Sequence, residues 1–82
     1  MENSDVKRET VKGVIISKVN SKTAYARSPL EDIDQFAVLK DYGVDSLDIV
    51  EIVMECERVF GVRIPDEKLD GIATVEEICN LF

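Results

Sequence analysis

The stretch Asp41 to Phe60, DYGVDSLDIVEIVMECERVF, reads as a tight turn feeding directly into a helix, with Ser46 at the junction. Gly43 supplies the backbone freedom that a sharp turn needs. Asp45 suits the N-cap, where a carboxylate oxygen can accept from the free N–H groups of the first turn. Ser46 then falls in that first turn, at the positive end of the helix dipole. A phosphate is well placed there. The helix is expected from Ser46 to about Phe60, and Gly61 is a natural residue to end it.

At about 100° per residue, Ile49, Ile52, Val53, Cys56, Val59 and Phe60 share one broad face, an ordinary core face. Leu47, Val50 and Met54 form a second apolar stripe nearly opposite. Asp48, Glu51 and Glu55 flank it on one side and Glu57 on the other. Two readings are open. The helix is buried all round, or the stripe is exposed with an acidic rim and docks on basic partners. The acids favour the second, because unpaired buried carboxylates are costly.

Charge runs the same way. The 82 residues carry a formal net charge of −7. Residues 1–40 are close to balanced, at +1, whereas residues 41–82 carry −8. An acidic surface of this kind repels nucleic acid and steers toward positive patches. The length makes one small domain, 1–82, with a modest core and no room for a large catalytic cavity. Histidine is absent, which excludes Ser-His and Cys-His nucleophile pairs and the usual zinc sites. An EF-hand loop from Asp41 fails, because Ser46 holds the turn-glycine position and Ile52 the bidentate-acid position. No metal site, catalytic constellation, signal peptide or bilayer-spanning run is legible, and the chain reads as cytoplasmic. Cys56 and Cys79 lie on apolar faces and read as small buried thiols.

Residues 1–4 are expected to fray. A first helix is expected from about Asp5 to Val19, with Val11, Val14, Ile15 and Val19 inward and Lys7, Arg8, Lys12 and Lys18 as solvated charges. Residues 20–40 form a long connection, to be pinned by Leu30, Ile33, Phe36, Val38 and Leu39. Ser28-Pro29 can start a turn or short helix. Pro65, Asp66 and Glu67 open a short third helix ending near Asp70-Gly71. Thr74 and Glu77 form a capping box for a fourth, with Val75, Ile78 and Phe82 on one face. The expected fold is all-α: a four-helix bundle of three longer helices and one short one, with a long loop between the first two. Its core is Val11, Val14, Ile15, Ile52, Val53, Cys56, Phe60, Ile72, Val75 and Ile78.

The run Gly43-Val44-Asp45-Ser46-Leu47, the helix behind it and Ile64-Pro65-Asp66-Glu67 at the right distance together resemble an acyl carrier protein. The resemblance is strong over residues 38–82 and weak over the first helix. It implies that Ser46 is the attachment site for 4′-phosphopantetheine, taken from coenzyme A, with Asp45 and Leu47 beside it. It implies partners with basic patches, namely a phosphopantetheinyl transferase and acyl-processing enzymes. Leu47, Val50, Met54 and Ile64 would make the apolar contacts, and Asp45, Asp48, Glu51, Glu55 and Glu57 the charged ones. Tethered acyl chains would lie in a pocket lined by Val38, Ile49, Val53, Cys56, Leu69 and Ile72. Leu69 is larger than its usual counterpart, which implies a shallow pocket. The function so implied is acyl delivery by a monomer, without catalysis, in fatty-acid or related polyketide or lipid synthesis. The alternatives are a peptidyl or D-alanyl carrier, or an unmodified helical interaction module. The connection is longer than the family's by a handful of residues, and Tyr25 to Asp34 is its least familiar part.

Overall fold

The first helix runs further than its apolar stripe. In the computed structural model, which describes residues 3–22 and 29–82, α1 spans Asn3–Lys22. Asn3 and Ser4, expected to fray, are helical; Met1 and Glu2 lie outside the described residues. The stripe itself holds: Val11, Ile15 and Val19 are buried and Val14 packs half-buried against them. This spacing, close to one turn per step, places one ridge of β-branched side chains against the rest of the chain.

The second helix, α2, spans Ser46–Phe60. Ile52, Val53 and Cys56 are buried along it, with Ile49 and Phe60 half-buried. Phe60 rests on Phe82, ring centroids 5.2 Å apart and planes tilted by 40°. Val59 departs from expectation and is exposed. It sits at the edge of the apolar arc, about 60° round from Cys56, in the last turn. Gly61, in the left-handed region at φ 70°, closes the helix with its N–H on the Glu57 carbonyl at 2.8 Å.

A third α-helix, α3, is only Val75–Cys79. Thr74 and Glu77 make the expected capping box: Thr74 accepts from the Glu77 N–H at 3.2 Å, and Glu77 accepts from the Thr74 N–H at 3.0 Å. Both α2 and α3 pack on α1. The described residues thus hold three α-helices, not four. The short helix expected after Pro65 is a 3₁₀ turn, Asp66–Leu69, with no buried residue. Gly71 at φ 77° ends that segment, so too few residues remain for an α-turn to repeat.

The long connection is held by backbone as much as by side chains. Residues 35–39 run antiparallel to 73–76. Leu39 N–H donates to the Ala73 carbonyl at 2.8 Å, Glu76 N–H to Gln35 at 2.8 Å and Val75 N–H to Ala37 at 3.3 Å. Burial alternates along this extended piece: Phe36 out, Ala37 half-buried, Val38 out, Leu39 in. That period of two explains why Phe36 and Val38, expected to pin the loop, are exposed. The other expected anchors hold: Ile33 and Leu39 are buried, with Leu30 half-buried. The expected turn at Ser28-Pro29 begins outside the described residues, and so does the first part of Tyr25 to Asp34, residues 25–28.

A second 3₁₀ turn, Leu39–Tyr42, ends on Gly43 at φ 78°. Nothing lies within 4 Å of where a Cβ would stand on Gly43. Gly43→Ala should therefore cost only the left-handed conformation, about 1–2 kcal/mol, and Gly43→Asn less. Urea denaturation checks both, and equal stability of all three proteins would contradict the turn.

Candidate functional site

The site begins with a buried hinge. Leu39 is fully buried and Val44 nearly so, and the Val44 N–H donates to the Leu39 carbonyl at 3.2 Å. This clamp delivers the chain to Asp45, which is extended, at φ −98° and ψ −175°, and caps α2. Its carboxylate accepts from the Asp48 N–H at 2.9 Å, and Asp48 Oδ2 accepts from the Asp45 N–H at 3.1 Å. Ser46 follows as the first helical residue, and it is exposed. The cap employs Asp48 N–H and the Asp45 carbonyl takes Ile49 N–H, so the N–H groups of Ser46 and Leu47 stay at the helix's positive end. An exposed primary alcohol beside such an end fits a phosphodiester.

Leu47 and Met54 are 65% and 58% exposed, and Val50 is half-buried. The second stripe therefore faces outward along most of its length. It runs into an open groove lined by Glu51, Met54, Glu55, Glu57, Arg58, Val62, Arg63 and Ile64. Val62, exposed in that groove, was not anticipated; its place directly after the helix-ending Gly61 was the available signal.

The acids do not form one free rim. Asp48 is 7% exposed. It takes a hydrogen bond from Lys22, and Lys18 lies 3.9 Å from its other oxygen. Lys18 also pairs with Glu51. Glu57 accepts from the Ile64 N–H at 2.6 Å and so shapes the turn after α2. Glu55 pairs with Arg58 at 2.8 Å. Asp48 is the clear correction: its carboxylate faces α1, because the N3 position of a capping box turns it back toward the cap. Lys7, Arg8, Lys12 and Lys18 were read as solvated; Lys18 and Lys22, one turn apart, line up only once α1 is known to continue past Val19. Arg8 pairs with Glu76 at 3.2 Å and Lys12 with Asp32 at 3.6 Å, so they too are engaged.

Lys22, chiefly by its hydrogen bond, and then the Asp45 N–H hold the Asp48 carboxyl below the usual carboxylate range. The folded state thus binds that proton less readily than the unfolded chain. The stability it confers is complete above the ordinary carboxylate pKa and is lost as pH falls through the lower folded value. Thermal melts over an acid series should show this loss, and Asp48→Asn should flatten it; an unchanged slope in the variant would remove Asp48 from the account.

Of the expected acyl-pocket residues, Val53 and Cys56 are buried, and Ile49, Leu69 and Ile72 pack half-buried against the same core. Val38 stands apart, exposed and bridged to Thr74. Burial pushes the Cys56 thiol up to about 12 and raises that of Cys79, so neither is a ready thiolate. Among the described residues no acid, cysteine and histidine group could hold a metal, and no helix is long and apolar enough to cross a membrane.

A capped turn thus lifts an exposed serine to the head of a helix in an all-helical domain. The family described as "Phosphopantetheine attachment site" matches residues 15–82. An acyl carrier protein of Chloroherpeton thalassium is 36% identical over 72 residues, 88% of each chain. One from Helicobacter pylori is 37% identical over 70 residues, 85% of this chain and 82% of its own. The crystal structure of an acyl carrier protein from Thermotoga maritima superposes with a TM-score of 0.70 at 27% identity, covering 92% of this chain and 85% of that one. The chain belongs to the acyl carrier protein family. Its prosthetic group is a covalently attached 4′-phosphopantetheine.

Proposed function

We propose that residues 1–82 form one carrier domain that holds acyl groups on an arm attached to Ser46 and delivers them to partner enzymes of fatty-acid or related polyketide or lipid synthesis. The observation that carries this reading is the exposed Ser46 hydroxyl at the first position of α2, directly after the Asp45 cap. When bound, the arm supplies a thiol that holds acyl groups as thioesters. The chain's residues do the rest by position. Asp45 fixes the first turn, so the Ser46 oxygen is presented at one place. Ser46 has no base among its described partners, so a transferase brings the base and the arm from coenzyme A. Leu47, Val50, Met54 and Ile64 offer apolar contact to partners, and Asp45, Glu51 and Glu55 offer charge to their basic patches. The protein acts as a tether that raises the local concentration of cargo at each docked enzyme, not as a catalyst, and works as a cytoplasmic monomer.

Incubation with coenzyme A, Mg²⁺ and a promiscuous phosphopantetheinyl transferase should add the mass of one arm. No gain would leave an unmodified interaction module. A loaded protein charged by amino-acid-activating enzymes, and not by acyl-transferring ones, would point to a peptidyl or D-alanyl carrier.

A further inference from the structure

Lys22, the last residue of α1, is exposed, but its charge is paired. Its ammonium donates to Asp48 Oδ2, the same oxygen that accepts the Asp45 N–H at 3.1 Å. One carboxylate oxygen thus joins the end of one helix to the start of another. Asp48 is 7% exposed, and a carboxylate so enclosed needs a counter-charge. Lys18, its other cation, lies 3.9 Å away and is also committed to Glu51. Ser46 lies between Asp45 and Asp48, inside the loop that their two hydrogen bonds close.

We propose that Lys22 is a positioning residue for the modification of Ser46: by holding the Asp48 carboxylate in place, it locks the reciprocal cap that fixes the first turn of α2. This rests on the reading of Ser46 as the attachment site. With Lys22 gone, the Asp48 carboxylate gains by turning toward water and releasing the Asp45 N–H. The backbone on either side of Ser46 then loosens. A transferase meets the serine in its reacting geometry less often, which lowers turnover more than it lowers affinity. The residue's other conceivable role, a cation favouring the C-terminal end of α1, would act without Asp48.

The experiment measures kcat and KM for phosphopantetheine transfer to purified full-length protein. Lys22→Met should lower kcat about fivefold, the size expected for losing most of a cap, with KM changed less than about twofold. Lys22→Arg should restore it. Lys68→Met makes the same charge change on an exposed residue of the Asp66–Leu69 turn that is not paired with Asp48 and should match wild type. In an Asp48→Asn background Lys22→Met should have no further effect, because the partner through which it acts is gone. A wild-type kcat in Lys22→Met, a loss that persists in the Asp48→Asn background, or a loss confined to KM and erased by salt would each overturn the proposal. Amide hydrogen exchange separates the two readings. If Ser46 were not the modified residue, the Asp45 and Asp48 amides should still lose about fivefold protection in Lys22→Met, and unchanged protection would reject the brace on its own.

Discussion

Ser46→Ala is expected to gain no mass under conditions in which the wild-type protein gains one arm, and to fold as well as wild type. The structure separates these two outcomes. The cap of α2 is made by the Asp45 carboxylate and the Asp48 backbone, so the Ser46 hydroxyl is not needed for the helix to start. Ser46 is exposed, and alanine has the higher helix propensity. The stability change should therefore stay within about 0.5 kcal/mol, and circular dichroism should be unaltered. Loss of loading cannot then be blamed on unfolding. Of the other described serines, Ser17 is mid-helix and Ser21 lies in the last turn of α1, where the dipole is unfavourable to a phosphate; Ser4 shares a first-turn position, in α1, so Ser4→Ala is the control and should load as wild type. Intact mass after transferase treatment is the measurement. A modified alanine variant would move the attachment site elsewhere and remove the basis for reading α2 as the docking helix.

What the sequence made legible was the local physics of α2. The Asp45 cap, the exposed position of Ser46 and the outward face of Leu47 and Met54 follow from residue type and a 3.6-residue period, and the Thr74–Glu77 capping box follows likewise. What was not legible depended on long-range partners. Asp48 and Glu51 look alike in the sequence. Only the arrival of Lys18 and Lys22 from α1 shows that Asp48 is enclosed. Glu57 reads as rim until the chain reverses at Gly61 and brings the Ile64 N–H to it. Phe36 and Val38 look like anchors because apolar residues in a long loop should be buried. Their exposure follows from the pairing of residues 35–39 with 73–76, which imposes a strand period on a segment with no strand signal. The missing fourth helix has a local cause that was visible: four residues between Pro65 and Asp70 leave little to propagate.

Leu39→Ala and Met54→Ala should part sharply, although each removes a similar amount of apolar side chain. Leu39 is fully buried, and its carbonyl and N–H bind Val44 and Ala73, so the side chain anchors the turn that leads to Ser46. Truncating it should cost ~2–5 kcal/mol, transfer and cavity terms together. A domain of this size holds ~4–12 kcal/mol in all at ~0.05–0.15 kcal/mol per residue, so much of its margin would go. Met54 is 58% exposed on the wall of the groove. Its truncation should shift stability by no more than about 0.5 kcal/mol. If that wall is where partners seat, transfer onto Ser46 should nonetheless slow about tenfold, mostly through KM, as for a central apolar contact at an interface. Urea melts and transferase kinetics on the two variants check both halves. A badly destabilised Met54→Ala protein would mean the second stripe is buried. A stable one with unchanged kinetics would mean that the stripe faces water without being read by the transferase. A mild Leu39→Ala would mean that the turn before Ser46 is held by its backbone bonds alone, and the presentation of the serine would then rest on the Asp45–Asp48 cap.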